Sequence, residues 1–249
     1  MNHVDRRYRT TSGFTIIELL LAMTFVSILL LSIALVVIQI GNVYNKGLTL
    51  KAVDQTGRAV STDIQRVLGQ TQPLASLDGS FIEQRGDGAQ ATDAALGGRF
   101  CTGEFTYIWN YGVALDEDNP QPINVYVQNP GSNEETKELR FIRIRDSDSY
   151  YCTNDDGLPD VVAEGAVELL ATGDRNLAVH RFSVEQVAYD PLLSQALYRV
   201  KMQLGTNDQT ALTTADLSCK PPSEEASFQE FCAVNIFEFT AQVGNKGEE

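Results

Sequence analysis

Basic residues and histidines are scarce in this chain, and each shortage excludes a class of function. The 249 residues carry 19 Lys and Arg against 33 Asp and Glu, a formal charge of −14. That balance argues against a nucleic-acid binder working through bulk electrostatics, which needs cations to release counterions from phosphate. His3 and His180 are the two histidines, too few for most His-based catalytic or metal sites. None of the four cysteines is spaced C-x-x-C, which points to an oxidising compartment rather than a redox or zinc motif. P-loop, G-x-S-x-G and H-E-x-x-H patterns are all missing. Nothing here supports an enzyme or calls for a cofactor.

Charge is missing altogether from Leu19 to Ile38, a run of 20 residues. As a helix it would be about 30 Å long, enough to cross a bilayer. Arg6, Arg7 and Arg9 precede it, against Asp5, so the N-terminus is expected in the cytoplasm and the C-terminal part exported. A cleaved secretory signal fits poorly: its apolar core is shorter and ends in an A-x-A-like site, and Ile38–Asn45 contains no alanine. A lipoprotein signal would need a cysteine near the run. A plain uncleaved anchor fits by hydropathy, except at Glu18, the sole charge between Phe14 and Ile40. An intramembrane acid costs about 3 kcal/mol or more and needs a partner. No basic side chain lies in the segment. A cut before Phe14 would create a partner, the new α-amino group.

Gly13-Phe14-Thr15-Ile16-Ile17-Glu18-Leu19-Leu20 resembles the N-terminal signature of type IV prepilins and type II secretion pseudopilins. The resemblance implies that a prepilin peptidase cuts after Gly13 on the cytoplasmic side and that Phe14 becomes N-methylated. It implies that Glu18 pairs with the Phe14 amine, of its own chain or a neighbour's, while subunits pack through their helices. Glycine at the cut lets the backbone enter a narrow site. A correct register in the filament buries a pair, a wrong one a lone charge. Many major pilins have a proline about two-thirds along the run; this run has none. Removing residues 1–13 leaves 236, with 16 basic and 32 acidic, a charge of −16. That size points to a minor pilin or pseudopilin.

The implied partners are other pilin subunits, prepilin peptidase, the inner-membrane assembly platform and, before assembly, the membrane itself. The implied location is the inner membrane, single-pass, then an extracellular pilus or a periplasmic pseudopilus. Three functions follow: a minor pilin of a type IV pilus, a pseudopilin, or a tip-displayed adhesin or DNA-uptake module.

The expected organisation is a basic leader at 1–13, a membrane-spanning and filament-core helix at 14–40, an amphipathic continuation at 41–70, and a β-rich exported head at 71–249. Val53, Gly57, Val60, Ile64 and Val67/Leu68 recur at spacings of three and four, one apolar helical face. Gly41, Gly47 and Gly57 serve either as bending points or for close packing. Pro73 closes the segment. Strands are expected at Phe105–Tyr111, Ile123–Val127, Leu139–Ile144, Leu177–Val187, Leu197–Leu204 and Val234–Val243. The alternation slips at Phe141/Ile142, which suggests a bulge. Residues 76–99, 116–122, 128–137 and 205–230 read as loops. The whole is α+β, a long N-terminal helix packed on an antiparallel sheet.

Among three possible cysteine pairings, Cys219–Cys232 with Cys101–Cys152 is favoured. The first pair are sequence neighbours, and Pro221-Pro222 turns the chain back between them. Asp116-Glu117-Asp118-Asn119 and Asn154-Asp155-Asp156-Gly157 with Asp160 offer oxygen ligands for Ca²⁺, but neither has EF-hand spacing, and solvated turns are the better reading. Arg140, Arg143 and Arg145 form the only basic cluster. Thr71–Glu249 holds 12 basic against 29 acidic residues, a field that disfavours nucleic acid as a partner. His180 reads as structural. Tyr107, Trp109 and Tyr111 alternate on one strand and read as a packed face rather than a ligand surface.

Overall fold

The computed structural model describes residues 13–74, 77–85, 95–116, 118, 120–128, 135–153, 161–162, 165–170, 176–224 and 230–244. The chain divides into two compact units, Met1–Tyr44 and Asn45–Glu249.

One helix, α1, runs over Ile16–Gly69. From Ile16 to Ile38 it is apolar on nearly all sides and exposed. In the second unit it buries one stripe: Thr49, Val53, Gly57, Val60, Ile64 and Val67/Leu68. This is the three–four spacing expected from the sequence, which aligns side chains on one face. Gly57 serves close packing: the ring of Phe237 lies where a Cβ would stand. Gly41 and Gly47 have open space around them, and the helix runs through both. It ends four residues before Pro73, closed by Gln70 N–H donating to Val67 O (3.0 Å) and Thr71 N–H donating to Leu68 O (3.1 Å).

A short helix, α2 (Leu77–Ser80), follows. The strands are β1 (Phe81–Arg85), β2 (Ala95–Cys101), β3 (Phe105–Asn110), β4 (Val125–Gln128), β5 (Glu135–Glu138), β6 (Phe141–Arg145), β7 (Val161–Val162), β8 (Ala166–Glu168), β9 (Leu177–Asp190), β10 (Gln195–Thr206) and β11 (Val234–Val243). They form three sheets, ordered β1-β2-β3-β6-β8, β11-β10-β9 and β5-β4-β7. Pairing is antiparallel except between β4 and β7. The architecture is α+β.

The six strands expected from alternation all form, β11 with the expected bounds. Three segments expected as loops contain strands. The 76–99 segment holds β1 and most of β2, because Gly97-Gly98 is a packing device and not a turn. A Cβ on Gly98 would stand 2.6 Å from Trp109 Cζ2 and from Ile82 O. The 128–137 segment holds most of β5, a fully exposed Glu-Thr-Lys-Glu strand with no apolar face to betray it. In 205–230, β10 continues to Thr206 and a 3-10 turn covers Gln209–Ala211.

No bulge occurs at Phe141/Ile142; β6 pairs regularly with β3. Both residues are apolar because the five-stranded sheet is covered on both faces. Phe141 packs in the main core with Val60, Ile64, Trp109 and Phe182. Ile142 packs in a second core with Ile108, Leu139, Tyr151 and Val161. The register skips occur in β9 instead, at His180 and Val187.

Two polar features tie α1 to the sheets. Asp63 accepts from the Tyr107 hydroxyl (3.1 Å), from Arg66 (3.0 Å) and from Arg143. Arg143 also lies 5.1 Å over the Phe105 ring. Along β11, Gln65 Nε2 donates to Thr240 O (3.3 Å) and Asn235 Nδ2 to Asp54 (2.7 Å), while Asn235 Oδ1 takes the Ile236 N–H (2.8 Å).

Asp63→Ala leaves the half-buried Arg143 without its carboxylate and the Tyr107 hydroxyl without its acceptor. The expected loss of stability is about 2–4 kcal/mol. Urea titration of the full chain in detergent, followed by Trp109 emission, measures it. Trp109 is the single tryptophan and is buried in the main core.

His180 is buried, with Nε2 donating to Thr206 O at 3.1 Å. Burial lowers its pKa to about 4 from 6.5, against the smaller opposing effect of that carbonyl. The unfolded chain therefore takes the proton first as pH falls. Stability is full above the unfolded value and declines between about 6.5 and about 4. The expected loss is roughly 2–3 kcal/mol by the lower end. In His180→Gln the denaturation midpoint should lose that part of its pH dependence.

Candidate functional site

The sequence places its strongest chemistry at residues 13–18, where the described residues begin. Gly13, Phe14 and Thr15 precede the first helical residue, Ile16, and all are exposed. Arg6, Arg7 and Arg9 lie outside the described residues.

Thr15 and Glu18 close a reciprocal cap. Glu18 Oε2 accepts the Thr15 N–H (3.0 Å) and the Thr15 hydroxyl (2.9 Å), and Thr15 Oγ1 faces the Glu18 N–H at 3.4 Å. Three residues separate the partners, so each satisfies an amide that the first helical turn leaves open. The carboxylate also sits at the positive end of the helix dipole. This role for Glu18 is additional to the amine pairing expected above. Its sequence signal is T-x-x-E before an apolar run. Both bonds from Thr15 go to Oε2, leaving Oε1 turned to no described group.

From Phe14 to Ile40 every described side chain is exposed, Phe14 at 88%. The few hydroxyls bond back to their own helix: Thr24 to Leu21 O (2.9 Å), Ser27 to Met23 O (2.7 Å) and Ser32 to Ile28 O (2.8 Å). The hydrogens of these three hydroxyls are thereby turned back to the helix, which suits an apolar surrounding. Among the described residues α1 is the one helix long and apolar enough to cross a membrane.

Both cysteine pairs form as expected, Cys101–Cys152 and Cys219–Cys232. The first joins the end of β2 to the turn after β6, where Asp146 accepts from Thr106 Oγ1 (2.8 Å) and Tyr150 N (2.7 Å). The second closes the approach to β11, and Lys46 of α1 donates to Cys232 O.

The three arginines do not gather. Arg140 donates to Leu177 O (2.7 Å) and to Asn176, Arg143 reaches Asp63, and Arg145 pairs with Glu104 at 3.2 Å. Tyr107, Trp109 and Tyr111 are buried, with Trp109 edge-on to Phe182 at 4.8 Å between ring centroids. Tyr111 OH donates to Glu83 (2.6 Å). Asp118 N–H bonds Asp116 Oδ1 (3.3 Å), a local turn. Glu117, Asn119, the 154–157 cluster and Asp160 lie outside the described residues. Among the described residues no cluster of His, Cys, Asp and Glu is arranged to hold a metal.

These features define an α+β protein with a membrane-capable N-terminal helix, a layout compatible with a pilin-like fold. No family model, no curated protein and no solved structure matches the chain.

Peptide mapping without reduction should recover the two cysteine pairs and no alkylatable thiol. Replacing Cys219 and Cys232 together by serine releases a loop with a sequence separation of 13. The expected cost is about 3 kcal/mol in the denaturation experiment above.

Proposed function

We propose that this chain is a structural subunit of a type IV pilus, of the minor kind. Prepilin peptidase cuts it after Gly13, the membrane holds it, and its N-terminal helix carries it into the filament. The observation that carries this reading is the position of Gly13-Phe14 directly before a helix whose whole apolar surface is uncovered from Phe14 to Ile40. Such a surface needs lipid, or other helices of its kind, around it. A cut at Gly13 removes the basic leader and leaves this surface as the start of the mature chain. Thr15 and Glu18 both lie beyond the cut, so the helix keeps its cap. Glu18 keeps Oε1 for the Phe14 amine, and extraction from the bilayer into the filament makes that pairing necessary. The disulfides fit an exported, oxidising compartment.

The mature protein should begin at Phe14, N-methylated, by mass spectrometry of the membrane extract. A start at Met1, or a cut beyond Ile40, overturns the reading. Gly13→Leu should accumulate as uncut precursor. Glu18→Gln keeps the cap, since an amide oxygen accepts as a carboxylate does, but removes the charge. It should be cut normally and should fall about tenfold or more in sheared filaments relative to the membrane pool. Normal incorporation of Glu18→Gln rules out the pairing mechanism.

A further inference from the structure

A cleft of about 610 Å³ lies on the outer side of the β9-β10-β11 sheet. Its floor follows from the strand register. Arg181, Gln203 and Ile236 stand side by side on the three strands, and Ser183 pairs with Lys201 in the next row. Asp216 and Ser218 wall one side, Glu83 and Tyr111 another. Gln203 is buried because its amide donates to Asp216 O (2.8 Å) and Leu217 O (3.2 Å), which fastens that wall to the floor.

The charges are arranged unevenly. Arg181 and Lys201 are diagonal neighbours, roughly 7–8 Å apart at Cα, so their long side chains can meet on one group. Arg181 spends one nitrogen on Ala215 O (3.0 Å). Lys201 has no hydrogen bond or ion pair among the described residues; Glu238, opposite it in the register, turns to Arg199 instead (3.5 Å). The acids are engaged. Glu83 receives Tyr111 OH at 2.6 Å, and Asp216 receives the Ser218 hydroxyl at 2.8 Å and the Thr213 hydroxyl. Both carboxyl groups stand at the walls, where a second anionic group would meet them.

We propose that this cleft binds a hydroxylated ligand with a single anionic group, a sugar acid or a sugar phosphate. Arg181 and Lys201 hold the anion. Ser183 and Ser218 meet hydroxyls, and Ile236 and Val234 meet the C–H face of the ring. A peptide is less suited, because the floor runs across the strands. A polyanion such as nucleic acid would have to pass Glu83, Asp216 and Glu238. The inference does not rest on the pilus reading, and its test reads binding rather than assembly.

The test is isothermal titration and saturation-transfer NMR on the full-length protein in detergent micelles. The ligands are glucuronate, glucose 6-phosphate and neutral glucose. At least one anionic sugar should bind about tenfold or more tightly than glucose, and comparing the two separates a carboxylate from a phosphate preference. Lys201→Gln and Arg181→Gln should each weaken the anionic sugar by about tenfold, with unchanged Trp109 emission as the check on folding. If neither anionic sugar gives a Lys201-dependent signal up to about 10 mM, the proposal is wrong. Tighter Lys201-dependent binding of tetraglutamate or of a short oligodeoxynucleotide overturns the ligand class.

Discussion

Both large sheets close on a single stripe of one helix. Val60, Ile64, Val67 and Leu68 meet Phe100, Tyr107, Trp109 and Phe141 from one sheet, and Phe182, Tyr198, Val200 and Met202 from the other. Each such apolar side chain contributes about 1.5–3 kcal/mol on burial. Neither sheet could cover its inner face alone, so the order of the 45–249 unit depends on this stripe. Gly57 allows Phe237 of β11 to reach the helix, and Asp63 sets the angle of approach from the other side through Tyr107 and Arg143. Packing supplies the energy, and the partly buried carboxylate of Asp63 specifies one arrangement, because any other leaves a charge without its partner.

The five-stranded sheet carries a further constraint, since both of its faces are dry. The main core is aromatic on one side, and Ile108, Leu139, Ile142 and Val161 fill the other. Trp109 needs the room given by Gly97 and Gly98 in the neighbouring strand. Asn110 and Asn124 satisfy the backbone where β3 leaves the sheet: Asn110 donates to Asn124 O and Leu139 O (both 2.7 Å), and Asn124 to Trp109 O (2.7 Å). The β9-β10-β11 sheet has one wet face, and that face carries the proposed binding cleft.

Much of this was legible where period and burial agree. The 53–68 stripe shows helical spacing, and β10 alternates cleanly because one of its faces is wet. Cys219 and Cys232 could be paired from their nearness and the two prolines between them. Elsewhere the reading failed for stated physical reasons. Alternation analysis assumes one wet face, so two adjacent buried residues, Phe141 and Ile142, looked like a bulge. The glycine-rich 76–99 segment looked like a loop, because the demand for space at Gly98 comes from a ring eleven residues away. β5 has no apolar member and is held by pairing with β4 alone. At the N-terminus the Gly13-Phe14 junction and Glu18 stood out, but Thr15 did not, although it is the residue that holds the carboxylate. The cleft was invisible because its residues come together only through the register of three strands.

In the membrane setting proposed above, the edge of β11 has to resist strand addition. Chains confined to two dimensions meet far more often than the same number in solution, and an open strand edge invites sheet-to-sheet fusion. Here two of the outward-facing positions on that edge are already occupied, the Ile236 N–H by Asn235 and the Thr240 carbonyl by Gln65. A neighbour adding a strand would first have to displace these side chains and would gain an incomplete ladder. That leaves the apolar helix, and not the sheet, as the surface through which copies would meet in the filament proposed above.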